Sequence, residues 1–271
     1  MNPIDLKSKL AEGGKVYGTM LWGIDSARMA SFLDSEYLDY AIIEAEHAPR
    51  TLYQINAMTT ALRNKNITSI VRITSPNAEI AGATIDAGAD GILIPYCEDI
   101  EELKLSFGRT YFNPLKGEYL KKVLDTGEFP SKKSEDYLRE KSKSRLFILG
   151  IESVPAVEKL ENMIDSVEKI DGIFVGPNDL TTSMGTPDER SSKAYDDILK
   201  HIIDTSEKYS IPVMIHHANM KESQYSLELG SRFVLHGSDV SLLGQKISDD
   251  FKNLREGIKS KKRETDTDKP Y

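Results

Sequence analysis

Residues 146–176 read LFILGIESVPAVEKLENMIDSVEKIDGIFVG. Two short apolar runs, 146–152 and 170–176, flank residues 155–167, whose apolar side chains have helical spacing. Neither run alternates between apolar and polar residues, and this continuity is typical of strands that are buried on both faces, as in parallel sheets. The segment therefore predicts a strand–helix–strand unit of a parallel sheet.

The same unit recurs along the chain. Helical patterns separate six further apolar runs: VYGTMLW (16–22), LDYAIIE (38–44), ITSIVRI (67–73), DGILIP (90–95), IPVMIHH (211–217) and SRFVLHG (231–237). Eight strands that alternate with eight helices predict an α/β fold, the (β/α)8 TIM barrel. A doubly wound sheet is the alternative, but it usually carries a glycine-rich phosphate loop, and neither GxGxxG nor GxxxxGK[ST] occurs here.

The 271 residues are compatible with one domain, because α/β barrels of roughly 200–250 residues form single domains. We expect the barrel to span residues 1–257 and the polar residues 258–271 to form a disordered tail. A long, charge-dense interval separates strands four and five. At 108–145 it predicts an insertion or flap over the barrel mouth, or alternatively a solvated excursion without a role.

The composition excludes several classes of protein. The chain has 35 Lys and Arg against 43 Asp and Glu, a net charge of −8, which argues against a nucleic-acid-binding protein. No stretch approaches the ~20 apolar residues of a membrane span, and the first residues lack the apolar core of a signal peptide. We therefore expect a cytoplasmic protein without membrane or nucleic-acid partners. The single cysteine, Cys97, cannot form an internal disulfide or a cysteine-based zinc site.

Barrel active sites lie at the carboxyl ends of the strands, so the polar residues found there are the candidates. Arg72 lies inside the apolar run of strand three, where a guanidinium is costly to bury unless it is paired or binds an anion. An internal ion pair with a barrel glutamate is the alternative for Arg72. Glu152 ends strand five, and Asp179 follows strand six at an expected helix N-terminus, where a capping role is the alternative.

Two carboxylates on neighbouring strand ends predict a site for a divalent metal ion: Mg²⁺, Mn²⁺ or Co²⁺. A metal with open positions beside an arginine suits a 2-oxo acid, because the arginine can stabilise the oxygen of an enolate. His47 could transfer protons at neutral pH, although a histidine after a strand is often only a polar loop residue. Trp22 could line the pocket mouth or belong to the core. A Schiff-base mechanism is not expected, since no strand ends in lysine.

A second metal site at His216, His217 and His236 is not expected. Adjacent strand residues point to opposite faces, so only one of His216 and His217 can face the barrel axis.

The blocks DYAIIEAEHAP, IVRI, TIDAGADGILIP, GIE and VGPNDLTTSMG resemble, in order, those of the HpcH/HpaI aldolase family. These are class II, metal-dependent pyruvate aldolases that include 2-keto-3-deoxy-sugar-acid aldolases. The resemblance runs from about Tyr17 to Gly244. It implies a carbon–carbon lyase that cleaves or forms a 2-oxo-4-hydroxy acid from pyruvate and an aldehyde through a metal-stabilised enolate.

The resemblance also implies roles for individual residues. His47 would act on the proton of the acceptor hydroxyl, Arg72 would hold the pyruvyl oxygens, and Glu152 and Asp179 would ligate the metal. The backbone around Gly176, Pro177 and Asn178 would bind the pyruvyl carboxylate. Asp86 matches an aspartate that reaches a neighbouring subunit's site, so the resemblance implies a homo-oligomer, a hexamer in this family.

The chain departs from the family pattern at several positions. Glu44 replaces an aspartate that orients the histidine, Gly150 replaces a frequent glutamine, and Asn178 replaces an alanine. Residues 111–117 differ from the family's YPPxGxRG segment, which helps to shape the acceptor side. The alternatives are thus a biosynthetic condensing enzyme or oxaloacetate-type decarboxylase with the same pyruvyl site, or a barrel that binds a 2-oxo acid without turnover.

Overall fold

The computed structural model describes residues 1–33 and 36–256. Its strands form a closed parallel barrel in sequential order, so the predicted (β/α)8 barrel is confirmed. The strands are β1 (Val16–Leu21), β2 (Tyr40–Glu44), β3 (Thr68–Arg72), β4 (Gly91–Ile94), β5 (Leu146–Gly150), β6 (Gly172–Val175), β7 (Val213–His217) and β8 (Phe233–Ser238). All eight fall within the predicted apolar runs or extend one residue beyond them.

The helices surround the barrel. In chain order they are α1 (Pro3–Ala11), α2 (Leu52–Asn64), α3 (Ala78–Asp86), α4 (Ile100–Tyr111), α5 (Gly117–Thr126), α6 (Lys132–Ser142), α7 (Val154–Glu158), α8 (Leu160–Asp165), α9 (Pro177–Ser183), α10 (Lys193–Lys208), α11 (Met220–Glu228) and α12 (Asp239–Arg255). The predicted helix after β1 is instead a 3₁₀ segment, Ala27–Phe32. The predicted helix over 155–167 is interrupted at Lys159 and forms α7 and α8.

Helix α1, which the sequence patterns did not reveal, closes the amino-terminal end of the barrel. Asn2 caps it by accepting hydrogen bonds from the backbone of residues 4 and 5, and Pro3 suits its first turn. Leu6 and Leu10 are buried in the same apolar cluster as Tyr40 of the barrel interior. The floor of the barrel is therefore packed with apolar side chains, and the opposite, carboxyl end is left for a pocket.

The barrel interior is filled by large side chains that require small neighbours. The Tyr40 ring packs edge-on against Phe233 with centroids 4.7 Å apart, and its hydroxyl donates to the carbonyl of Val234 (2.7 Å). A Cβ atom at Gly18 would lie 2.5 Å from the Tyr40 ring. Glycine at this position is thus a packing requirement of the closed barrel.

The insertion between α4 and β5 does not cover the barrel mouth. Residues 108–145 contain the end of α4 and helices α5 and α6, and α5 packs on α4, with Leu120 and Leu124 beside Gly108. Lys7 of α1 donates to Tyr111 (3.2 Å) and to the carbonyl of Arg145 (2.7 Å), so both ends of the insertion meet at the amino-terminal end of the barrel. The expected flap position is therefore wrong, because the extra residues follow the returning helix α4 rather than strand β4.

Within the described residues, no helix is long and apolar enough to cross a membrane. Cys97 is buried and free. The predicted tail, residues 258–271, lies outside the described residues, and the proposed domain limits remain a prediction.

Replacement of Gly18 by alanine tests the packing of the barrel interior. The added Cβ would force the Tyr40 ring to move, and overpacking of this kind typically costs about 1–3 kcal/mol. We expect urea unfolding of Gly18→Ala to show a free energy of unfolding lower by about that amount. Asn64→Ala at the exposed end of α2 is the control, because alanine favours the helix there and changes no core packing. Equal stability of Gly18→Ala and the wild type would contradict the packing.

Candidate active site

A cavity of about 260 Å³ opens at the carboxyl ends of the strands. Most of the predicted site residues line it, which brings strand ends far apart in sequence into one place. The lining residues are Trp22, His47, Arg72, Phe174, Gly176, Pro177, Asn178, Asp179, Arg190, His216 and Ala218.

An ion pair forms the floor of this cavity. The register of β2 and β3 places Glu44 opposite Arg72, and Arg72 Nε donates to Glu44 Oε2 at 2.5 Å. Both side chains are buried. Burial alone would lower the pKa of Arg72, but the neighbouring carboxylates of Glu44 and Glu152 outweigh it and raise that pKa. The guanidinium is thus charged and fixed in position.

Glu44 also organises the turn that follows β2. Its Oε1 accepts hydrogen bonds from the backbone N–H groups of Glu46 (2.8 Å) and His47 (2.9 Å). Glu44 is one methylene longer than the aspartate usual in the family, and from the sequence we expected it to orient His47 differently. Here Glu44 holds the backbone of His47 rather than its imidazole, because its second oxygen is engaged by Arg72.

The carboxylate that faces the imidazole belongs to Glu46, which the sequence reasoning missed. Glu46 Oε2 lies 3.7 Å from His47 Nε2 and 3.0 Å from Arg72 Nη1. Burial raises the pKa of Glu46 above its ordinary value. Its position in the EHAP block beside the histidine was the only sequence signal for this role.

Glu152 and Asp179 converge at the end of β6. A Cβ at Gly176 would lie 2.9 Å from Glu152 Oε2 and 3.4 Å from Asp179 Oδ2, so only glycine leaves room for both carboxylates. Glu152 is fully buried, and in the part of the chain that the structure describes neither of its oxygens accepts a well-formed hydrogen bond. Burial raises its pKa to about 8. A buried carboxylate without partners is unusual and fits a cation ligand.

A metal at this place would have two protein ligands. Among residues 1–33 and 36–256, no group of three or more His, Cys, Asp or Glu side chains could hold a metal ion. Two carboxylates with open positions for water and substrate oxygens suit Mg²⁺ and similar hard cations.

Trp22 covers one side of the pocket. Its indole stacks on the His47 ring, with centroids 6.1 Å apart and an interplanar angle of 23°. The Asp239 carboxylate accepts hydrogen bonds from the backbone N–H groups of Trp22 (2.9 Å) and Ile24 (2.7 Å). Arg50 donates to the carbonyls of Trp22 (2.8 Å) and Glu44 (2.7 Å). Sequence reasoning missed these roles of Asp239 and Arg50, since their partners are backbone atoms of segments distant in sequence or at strand ends.

The two adjacent histidines of β7 face opposite sides, as expected. His216 lines the pocket and pairs through Nε2 with the carbonyl of Gly237 (3.0 Å). Burial lowers its pKa to about 4, so it is neutral at pH 7. His217 points away from the axis and pairs with Ser226 (2.5 Å), and His236 pairs with Ser223 (2.8 Å).

Asp86 does not lie in this pocket. It ends α3, is exposed, and accepts a hydrogen bond from Asn113 Nδ2 (2.6 Å). Because α3 runs back towards the amino-terminal end of the barrel, Asp86 and the altered segment 111–117 lie on the far side from the carboxyl ends.

Arg190 is a pocket residue without a sequence signal. It follows α9 in a polar loop and donates from Nη2 to the Asn178 side-chain oxygen. Gly150, which replaces the family's frequent glutamine, lies against Glu152: a Cβ there would approach Glu152 Oε1 to 2.8 Å.

Known proteins share this sequence pattern and this barrel. The sequence profile of the HpcH/HpaI aldolase/citrate lyase family matches residues 19–245. The 5-keto-4-deoxy-D-glucarate aldolase of Klebsiella pneumoniae subsp. pneumoniae is 28% identical over 220 residues, which span 79% of this chain and 84% of that protein.

Solved structures share the fold. The HpcH/HpaI aldolase from Desulfitobacterium hafniense DCB-2 has a TM-score of 0.79 at 22% identity, covering 93% of this chain and 96% of that chain. Citrate synthase SbnG has a TM-score of 0.78 at 21% identity, covering 93% and 97%. Because the family profile spans nearly the whole barrel, the chain belongs to the HpcH/HpaI aldolase/citrate lyase family and is a carbon–carbon lyase.

Proposed function

We propose that the enzyme is a metal-dependent aldolase that cleaves or forms a 2-oxo-4-hydroxy acid from pyruvate, or a close 2-oxo acid, and an aldehyde. The observation that carries this proposal is the convergence of a buried guanidinium and two carboxylates on one pocket that also contains His47. The relatives named 5-keto-4-deoxy-D-glucarate aldolase support the same class of substrate.

Arg72 binds the oxygens of the 2-oxo acid in this proposal. Its guanidinium lies over the Phe174 ring, 5.7 Å from the centroid, and Glu44 and Glu46 hold its Nε and Nη1. A cation fixed in this way needs no reorganisation when negative charge develops on the enolate oxygen, and such preorganised groups lower reaction barriers most effectively.

Glu152 and Asp179 would hold the divalent metal ion, Mg²⁺, Mn²⁺ or Co²⁺. Aldolases of this family are generally metal-dependent, and the unpartnered buried oxygens of Glu152 fit such a ligand. When bound, the ion supplies positive charge opposite the oxygens of the 2-oxo acid. The backbone N–H groups at the start of α9, around Pro177 and Asn178, would accept the pyruvyl carboxylate.

His47 would take the proton of the acceptor hydroxyl on cleavage and return it on condensation. Its imidazole is accessible between Trp22 and Glu46. The Glu46 carboxylate beside it can stabilise the protonated ring. Glu44 acts through the backbone, because it fixes the turn that presents His47.

Solvent exchange of the pyruvate methyl protons tests the enolate step. We expect deuterium to enter the methyl group, followed by ¹H NMR, when Mg²⁺, Mn²⁺ or Co²⁺ is present. Arg72→Lys keeps the charge but loses the two-pronged geometry, so exchange should fall by about 10²-fold, as for the loss of one oxyanion-stabilising donor. Arg139→Lys on α6 is the control and should exchange at the wild-type rate.

Absence of exchange with all three metals, or wild-type exchange in Arg72→Lys, would contradict the enolate mechanism. Exchange without turnover of any aldehyde would favour the condensing-enzyme or decarboxylase reaction at the same site.

The raised pKa of Glu152 predicts how stability depends on pH without metal. A folded-state pKa near 8 means that the folded protein holds this proton more tightly than the unfolded chain, whose glutamate has a pKa of about 4.3. The stabilisation of the folded state by this proton is complete below about pH 4.3. It is lost as the pH rises towards 8. In EDTA, Glu152→Gln should therefore melt several degrees above the wild type at pH 9 and close to it at pH 5.

The metal ligation can be read from the same melting curves. Mn²⁺ should raise the melting temperature of the wild type and leave that of Glu152→Gln unchanged. The exposed control Glu118→Gln should follow the wild type under all conditions. A pH-independent difference, or equal Mn²⁺ responses of Glu152→Gln and the wild type, would show that Glu152 is not the buried ligand.

We also propose that the enzyme is a homo-oligomer, for which the family resemblance implies a hexamer. Helix α12 buries none of its residues and exposes an apolar stripe: Val240, Leu243, Ile247, Phe251 and Leu254. Asp86 can act in catalysis only on another copy, because it lies away from its own pocket. A cytoplasmic location stays a prediction.

Sedimentation velocity tests this assembly. We expect the wild type to sediment as an oligomer and Phe251→Glu to shift towards smaller species, because a buried charge in an apolar interface is costly. Ser248→Glu adds the same charge to the same helix and should keep the wild-type assembly. A wild-type monomer would contradict the proposal.

A further inference from the structure

The wall of the pocket at β7 contains a histidine that the proposed mechanism does not use. Met214 of β7 belongs to the apolar interior of the barrel, and residues two apart on a strand share a face. His216 therefore points inward one layer above Met214, and its half-buried ring lines the cavity.

An irregularity in β8 provides the partner of this ring. Gly18 pairs with Leu235 and Met20 with Ser238, so β8 has one residue more than β1 over this interval. Gly237 has a left-handed backbone with a φ of 62°, a conformation that glycine adopts in β-bulges, which redirect the groups on their strand. The Gly237 carbonyl accepts a hydrogen bond from His216 Nε2 (3.0 Å).

This hydrogen bond decides which ring nitrogen of His216 carries the proton. A carbonyl oxygen can only accept, so Nε2 donates, and in a neutral imidazole the other nitrogen is then an acceptor. Burial, assisted by the nearby charge of Arg72, lowers the pKa of His216 to about 4, so the ring is neutral at pH 7. Within residues 1–33 and 36–256, Nδ1 has no hydrogen-bond partner.

A neutral acceptor fixed in this place suits a hydroxyl group. Ionised carboxylate and phosphate oxygens have no proton to donate, and the lone pair of Nδ1 repels them. The guanidinium of Arg72, which is close enough to act on the ring, disfavours an ammonium group. A hydroxyl donates a hydrogen bond without carrying a charge, and therefore satisfies both conditions.

The strand order assigns His216 to the acceptor part of the substrate. Arg72 and the two carboxylates that would hold the metal lie on the arc of the mouth from β3 to β6, and they serve the 2-oxo acid. His216, Trp22 and His47 lie on the other arc, from β7 through β8 and β1 to β2. Since His47 would act on the hydroxyl formed from the aldehyde, the aldehyde lies along this second arc.

We infer that His216, held in one tautomer by the bulge of β8, determines the acceptor specificity: its Nδ1 accepts a hydrogen bond from a hydroxyl group of the aldehyde. The substrates of cleavage then carry a further hydroxyl beyond C4. This inference rests on the proposed aldolase function and names the residue that selects its acceptor. A deoxy aldehyde would leave Nδ1 without a partner, which a site built for a hydroxyl penalises.

Matched aldehydes test this preference. With pyruvate and Mn²⁺, we would measure kcat/KM for glycolaldehyde against propionaldehyde, in which a methyl group replaces the hydroxyl, and for 3-hydroxypropanal against butyraldehyde. Methoxyacetaldehyde keeps the electron-withdrawing oxygen of glycolaldehyde but has no O–H to donate. A hydroxyl preference that methoxyacetaldehyde does not share supports the inference. Equal values in both pairs, or an equal gain with methoxyacetaldehyde, would overturn it.

Variants assign the preference to His216. A neutral hydrogen bond corresponds to a net preference of about 3- to 10-fold, so His216→Leu should lower the ratio of hydroxylated to deoxy aldehyde by about that factor, mainly through KM for the aldehyde. His216→Gln should keep part of the ratio, because its amide can donate to the Gly237 carbonyl and still present an oxygen. His201→Leu makes the same exchange at an exposed position of α10 and should keep the ratio.

A loss that is equal for hydroxylated and deoxy aldehydes would show that His216 only packs the pocket or acts on the reacting hydroxyl, and would overturn the inference. His216→Phe, which keeps a planar ring without an acceptor, gives the same information if His216→Leu does not fold.

The deuterium exchange of pyruvate separates the two levels of the argument. If the wild type exchanges the methyl protons but has no hydroxyl preference, only the role of His216 fails. If it exchanges none with any of the metals, the aldolase function fails and the inference falls with it.

Discussion

The ion pair between Arg72 and Glu44 determines the geometry of the site. Strand register places the two residues opposite each other, and both are removed from water. Loss of one member of such a pair leaves an uncompensated buried charge, at a cost of roughly 3–5 kcal/mol. Each side chain therefore fixes the other. Since the second oxygen of Glu44 accepts from the backbone of residues 46 and 47, one carboxylate positions both His47 and Arg72.

Glutamate at position 44 suits two contacts, the ion pair with Arg72 and the hydrogen bonds from the backbone of residues 46 and 47. Its side chain must reach across the strand pair to Arg72 and also lie under the turn that follows its own strand. The extra methylene relative to aspartate allows one carboxylate to do both. The contact with the His47 imidazole then passes to Glu46, which also approaches Arg72. The substitution moves the carboxylate partner of the histidine and does not remove it.

The barrel and much of the site could be predicted because they depend on residue type and strand order. Continuous apolar runs indicated strands buried on both faces, and parallel closure brings all their carboxyl ends together. This placed Arg72, Glu152 and Asp179 around one mouth. Asp239 and Arg50 could not be predicted, since they bind backbone atoms of other segments: Asp239 holds the loop after β1 once β8 pairs with β1, and Arg50 joins the carbonyl ends of β1 and β2. The position of the insertion could not be predicted for a similar reason. The sequence shows a long interval between β4 and β5, but it does not show whether the extra residues follow strand β4 or helix α4.

The net charge of −8 does not determine which molecules the pocket accepts. Exposed charges more than about 8–10 Å apart are largely screened at physiological salt, whereas buried charges within hydrogen-bond distance interact strongly. Four carboxylates, Glu44, Glu46, Glu152 and Asp179, face two guanidinium groups around the cavity, so a divalent cation would bring the charges into balance. Arg72 already contacts Glu44 and Glu46, so the carboxylates of Glu152 and Asp179 would remain for the cation.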